Sequence, residues 1–367
     1  IPIHPEMETK EQGEMAAAEK ILKLFQKLKA NSGGGTEEVK DSKPEIPDDI
    51  IDPMMKERPK SSKDKSFEKN KLAGWDEKSD EKMKKDGWED VYVFGYSKVH
   101  IFQHISDKDC KNIMLIHTPV TAVKNCYECY EQLAREYSFN VFTMDYAPGE
   151  GECGGETKEF TLENMTANID AVYQYICENY SSEIHLLGYT GAGAIIAQYY
   201  LGINPGFKSF SQFACGIYGN TKPLGVPTFL AKPMLSVCRL ITKKRPDFTM
   251  AFKPPKAKGF QAESDNEFYE SMIAYRDSSF FDLKINSLVQ ILECMLGAES
   301  MLKMEITCPT LVFKTLHDRY FPKEYFDCYY ASLQCEKKLV EINDTHNSYF
   351  IHPEPFMREI ASWVESH

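Results

Sequence analysis

From residue 112 onward, short apolar runs alternate with segments of helical periodicity, and this alternation constrains the fold more than any other feature. "NIMLIHT" (112–118), "NVFTMDY" (140–146), "EIHLLGY" (183–189), "SFSQFACGIYG" (209–219), "CPTLVFKTLHD" (308–318) and "KKLVEIND" (337–344) read as buried strands. Between and after them, "NCYECYEQLAREY" (125–137), "TLENMTANIDAVYQYICENY" (161–180), "AGAIIAQYYLG" (192–202), "YFDCYYASL" (325–333) and "EPFMREIASWVES" (354–366) read as helices. Strands that alternate with helices form a mostly parallel sheet with both faces covered. Upstream, "DVYVFGYSKVHIFQHI" (90–105) reads as two strands with a turn at Gly95-Tyr96-Ser97.

Two regions break the alternation. Residues 220–300, including "ESMIAYRDSSFFDLKINSLVQILECML" (270–296), predict a helical insertion over one edge of the sheet. Residues 1–90 differ in composition. Met15, Ala18, Ile21, Leu22, Phe25 and Leu28 recur at helical steps, so an amphipathic helix is expected over about 8–30, ended by "NSGGG". An extended arm rich in Pro, Lys and acids follows, of a composition that cannot form its own core. The expected organisation is 1–90, helix and arm; 91–219, first part of the core; 220–300, insertion; 301–367, second part of the core. An apolar stripe needs a groove to bury in, so residues 1–90 are expected to dock on a protein partner.

Composition excludes several functions. The net charge of −12 disfavours nucleic acid as a partner. No apolar run reaches the length of a transmembrane helix. Eleven scattered cysteines without framework spacing fit reduced thiols in an intracellular compartment. The chain begins at Ile1 rather than Met, and a mitochondrial presequence, removed, would explain that start. Cys126 and Cys129 form the only close pair, with no second pair at zinc spacing, and His104, His185 and His317 show no ligand spacing. "GEGECGG" (149–155) does not lead straight into a helix as a phosphate loop does. No cofactor and no metal are expected.

Five segments then fall in a revealing order. "MDYAPGEGECGG", "FTLENMTANIDAVYQYI", "HLLGYTGAGAIIAQYYL", "CPTLVFKTLHDRYFP" and "VEINDTHNSYFIHPEPFMREIASWV" resemble successive segments of the α/β-hydrolase superfamily, over about residues 90–367. The resemblance implies the α/β-hydrolase fold, with the insertion at 220–300 in the place of a cap. It also implies a nucleophile elbow, Gly188-Tyr189-Thr190-Gly191-Ala192, with Thr190 at the nucleophile, Asp318 at the acid and His346 at the base. Three positions depart from the family's pattern. Threonine replaces serine, and its β-branched side chain is stiff. Ala192 replaces the second glycine of the elbow. In the oxyanion region, formed by Gly191 with the loop His117-Thr118-Pro119, Pro119 stands where a backbone donor is expected and has no N–H. His117 itself, at a strand end, reads as structural.

These departures favour a non-catalytic subunit of a larger assembly. "KNCYE" (124–128) and "TGAGA" (190–194) are similar to segments of the N-myc downstream-regulated proteins, which keep the fold without the nucleophile. Asp318 and His346 favour the alternative, an esterase, lipase or peptidase in which Thr190 attacks, His346 takes its proton and Asp318 orients the imidazole. A third reading is a small-molecule ligand held in the old pocket without chemistry.

Overall fold

The computed structural model describes residues 83–119, 130–147, 160–213, 216–219, 221, 227–245, 248–251, 282–297, 304–318, 321–344, 346, 348–351 and 353–367. The helix expected at 8–30, the arm up to residue 82, Cys126, Cys129 and "GEGECGG" lie outside these residues.

Eight strands form one sheet: β1 (Trp88–Phe94), β2 (Lys98–His104), β3 (Asn112–Ile116), β4 (Asn140–Asp145), β5 (Ile184–Gly188), β6 (Ser209–Phe213), β9 (Thr310–Thr315) and β10 (Lys337–Ile342), in the order β1-β2-β4-β3-β5-β6-β9-β10. β1 pairs antiparallel with β2, and β2 antiparallel with β4. Every other neighbour in this sheet is parallel. The strands and their pairing meet the expectation of a mostly parallel sheet.

Side chains on a strand alternate between faces, and the core divides accordingly. Ile113 and Leu115 of β3 face one layer, made by α1 (Glu131–Arg135) and α8 (Glu354–Ser366). Met114 and Ile116 face the other, made by α2 (Leu162–Asn179), α3 (Thr190–Ile203) and α6 (Lys323–Ser332), with α4 (Thr228–Lys244) in the same apolar cluster. Phe213 and Phe313 stack at 4.7 Å on the α8 side, with Phe356 against both. Truncating such a buried ring costs about 3–5 kcal/mol. A four-residue helix, α7 (Ser348–Ile351), precedes α8.

The insertion is helical at α4 and at α5 (Ile285–Leu296), which pack on each other, and α5 also packs on α2 and α3. Among the described residues α5 thus joins the insertion to one helical layer of the sheet. An all-helical reading of 270–296 needs correction. Asp282–Lys284 form a short strand, β8, paired antiparallel with β7 (Thr249–Ala251). Two buried amides of α5 fasten it to the core. Asn286 Nδ2 donates to the Phe160 carbonyl at 2.9 Å, and Gln290 Oε1 accepts from the Leu162 amide at 2.7 Å. Among the described residues no helix is long and apolar enough to cross a membrane.

Candidate active site

The elbow begins with a glycine that the packing requires. A Cβ at Gly188, the last residue of β5, would sit 2.9 Å from Ala194 Cα and 3.0 Å from Ala197 Cβ. Its absence lets α3 lie close against the strand that feeds it. One residue, Tyr189, separates strand from helix, with extended backbone at φ −117° and ψ 128°. Its amide donates to the Ile116 carbonyl at 2.8 Å, and its ring is buried between Phe213 and Tyr349. Thr190 is therefore the first residue of α3, and its side chain lies outside the described residues.

The second close approach comes one residue later than the family pattern suggests. Ala192 is half-buried and accommodated. Gly193 instead faces the loop after β3, where a Cβ would meet His117 C at 2.5 Å and the Thr118 nitrogen at 2.8 Å. This contact sets the loop His117-Thr118-Pro119 beside the first turn of α3. Thr118 is half-buried and Pro119 buried. Amides in the first turn of a helix lack intrahelical partners and carry the positive end of the dipole, and the Gly191 N–H is among them. Pro119 brings no donor of its own.

His117 is fully buried, and its Nε2 donates to the Met144 carbonyl at 3.0 Å. Burial pushes its pKa down, against the pull of the Asp145 charge. Tyr146 Oη donates to the His117 carbonyl at 2.6 Å. These bonds hold the loop from below and give His117 a structural role.

Asp318 and His346, the residues expected as acid and base, meet. Asp318, in the turn after β9, has a fully buried side chain. Its Oδ2 accepts from His346 Nδ1 at 2.7 Å and from Thr315 Oγ1 at 3.1 Å, and its Oδ1 accepts the Phe321 amide at 2.8 Å. With Nδ1–H held by the carboxylate, Nε2 is the basic nitrogen of the neutral ring. Phe321 connects this pair to the elbow. Its ring stacks on His346 with centroids 5.8 Å apart, and its Cε2 lies 3.3 Å from where a Gly191 Cβ would be. Residues 28 positions apart in sequence, and a helix more than a hundred residues upstream, thus converge on one place. Sequence reasoning missed Phe321 and Gly193; both lie near recognised motif residues, but the packing that involves them is tertiary.

A second histidine–carboxylate cluster was also missed. His100 Nδ1 bonds Asp145 Oδ2 at 2.8 Å, and its Nε2 bonds Asp90 Oδ1 at 2.8 Å. Burial opposes the imidazolium, but the hydrogen bonds and charges of the two carboxylates outweigh it and raise the pKa from 6.5 to about 9. Among the described residues no group of three His, Cys, Asp or Glu side chains is placed to hold a metal ion. Among the described residues two grooves lie away from the Asp318–His346 pair, one between the β1–β2 turn and α2, the other between α4 and α5.

No family model matches the chain, and no curated protein matches it either. Solved structures do. A monoacylglycerol lipase from Paleococcus ferrophilus aligns with a TM-score of 0.54 at 15% identity, covering 73% of this chain and 99% of its own. Rv0554 from Mycobacterium tuberculosis gives 0.54 at 14%, covering 75% and 99%. Est1E from Butyrivibrio proteoclasticus, solved with ferulic acid bound, gives 0.50 at 16%, covering 75% and 98%. The chain has the α/β-hydrolase fold.

Proposed function

We propose that this chain is an acyl-transfer hydrolase acting on carboxylic esters, the reading placed second on sequence grounds. The observation that carries it is the Asp318–His346 hydrogen bond at 2.7 Å, made by a fully buried carboxylate whose other oxygen is also satisfied. A carboxylate and an imidazole kept in this relation beside the elbow are the orienting and proton-transferring parts of a triad. The fold-level likeness to a lipase supports the reading as analogy.

In this reaction Thr190 Oγ1 attacks the acyl carbon as His346 Nε2 takes its proton. The same proton passes to the departing alkoxide. Water then attacks the acyl-enzyme, again losing its proton to Nε2, and Thr190 is regenerated. Asp318 keeps the ring in the productive tautomer and stabilises the imidazolium. The developing oxyanion is met by the Gly191 N–H, while Pro119 supplies no second donor. Losing one such donor costs about 10²–10³ in rate, so a slow enzyme is expected.

The buried Pro119 is also what favours the second reading, a non-catalytic subunit of a larger assembly. A fluorophosphonate probe separates the two. The hydrolase reading expects labelling of the wild type, loss of labelling in His346→Ala and Thr190→Ala, and faster labelling in Thr190→Ser. A folded wild type that takes no label overturns it and leaves the non-catalytic reading.

A further inference from the structure

The β1–β2 hairpin carries three exposed aromatic residues near its tip, Tyr92 and Phe94 at the end of β1 and Tyr96 in the turn, at 49%, 79% and 51% exposure. Single exposed rings are ordinary; three on one tip beside a groove mark an interaction surface. The tip is fastened to α2. A Cβ at Gly95 would lie 2.8 Å from the Ala167 carbonyl oxygen, so only glycine allows the approach. Asn168 Oδ1 accepts the Ser97 amide at 3.0 Å, while its Nδ2 donates to Ser97 Oγ at 3.0 Å and to the Tyr146 carbonyl at 2.9 Å.

A groove of about 700 Å³ runs between this tip and α2. Its helical wall is one outward stripe in which Glu163, Asp170 and Glu178 are separated by the small Ala167 and Ala171 and by Gln174. Small residues let another backbone approach, and the acids make the wall negative. From Glu163 to Glu178 the wall is about 22 Å long, room for a helix of some fifteen residues.

The sequence supplies a segment of matching chemistry. "KILKLFQKLK" (20–29) holds four lysines and no acid. On a helix, Lys20, Lys23 and Lys27 share an arc of about 60° on the side opposite the apolar arc of Ile21, Leu22, Phe25 and Leu28. Lys20 and Lys27 are seven residues apart, as are Glu163 and Asp170, so the two charge rows share a repeat. The intervening chain ends at Met83, just before β1, whose far end Phe94 lines the groove. A connection of fifty-odd residues is long enough to pass that strand, since a random chain of this length spans about 40 Å on average.

We propose that residues 20–29 dock as a helix in the groove between the β1–β2 turn and α2 of their own chain, lysines toward the acidic stripe and apolar face toward Phe94. The sequence reading gave this segment to a partner protein; the groove gives it a place on its own chain. Nothing in this depends on chemistry at Thr190.

The test uses the full chain with a photoreactive benzoylphenylalanine in place of Phe94. The expected product joins position 94 to residues 20–29 within one chain, in a yield independent of protein concentration. Glu163→Lys with Glu178→Lys, which spares the bond from Tyr200 Oη to Asp170, should lower that yield at least about five-fold. Adding Lys20→Glu, Lys23→Glu and Lys27→Glu should restore it. Cross-links to another segment, cross-links between chains that grow with concentration, or a yield indifferent to the charge reversal would each overturn the proposal.

Discussion

Among the described residues two histidines bind a carboxylate through Nδ1: His346 takes Asp318 at 2.7 Å, and His100 takes Asp145 at 2.8 Å. The chemical pair is the same, and the surroundings differ. His346 lies in the loop after β10, where the parallel strands end, and the carboxylate occupies one ring nitrogen. His100 lies inside β2, directly opposite Asp145 in the antiparallel register with β4, and Asp90 takes its other nitrogen. A ring with a carboxylate on one side is oriented and keeps a basic nitrogen. A ring with carboxylates on both sides is held as an imidazolium and has no lone pair for a proton. The first arrangement suits proton transfer. The second suits holding an edge of the sheet together.

Substitutions sharpen this contrast. The largest effect is expected from His346→Ala, which should slow acylation by a fluorophosphonate about 10²–10⁴-fold, the usual range for loss of a general base. Its unfolding free energy should fall less than that of His100→Ala, because Asp318 keeps bonds from Thr315 and Phe321. His100→Ala leaves Asp145, with a side chain only 2% exposed, buried beside one fewer cation. Denaturant unfolding should show a loss of about 3–5 kcal/mol, as when one partner of a buried ion pair is removed. Equal losses from the two substitutions would break the comparison.

The pH dependence of stability tests the charged state of His100. Its folded pKa of about 9 stands above the unfolded value of 6.5. The stabilisation is therefore complete below about pH 6.5 and is lost as pH rises through about 9. The shift corresponds to about 3 kcal/mol, read as the difference between wild type and His100→Gln in unfolding at pH 6 and pH 10. Asp90→Asn should have the smallest effect. Asp90 is partly exposed, so the loss at neutral pH should be about 1 kcal/mol or less, and the pH midpoint should move down. A midpoint that stays in place would mean that Asp145 alone holds the charge.

Most of the sheet was legible because its signals are local. β3, β4 and β5 are short, mostly apolar runs, and α8 spans the same residues in the structure as in the sequence pattern, 354–366. β7 and β8 were not, since three-residue strands have no period to detect and pair across thirty residues. The Asp318–His346 meeting was legible only through resemblance to a family's chain order. His100 was invisible for a related reason: its partner stands 45 residues away, and nothing near His100 marks Asp145 as its neighbour. Ala192 looked like a defect in the elbow because sequence spacing cannot say which residue of a helix faces a loop. The fold places Gly193 there instead.

Asn168 shows how narrow the tolerance for substitution can be at one position. Its oxygen accepts from Ser97, and its amide hydrogens go to Ser97 and Tyr146, whose own hydroxyl holds the His117 carbonyl. Aspartate would keep the shape and lose both donors, leucine would lose all three bonds, and glutamine would be one methylene too long. An amide side chain of this length is thus the one letter of the alphabet that satisfies hairpin, helix and loop together, and drift at Ser97, whose hydroxyl is its one side-chain partner, would be filtered through it.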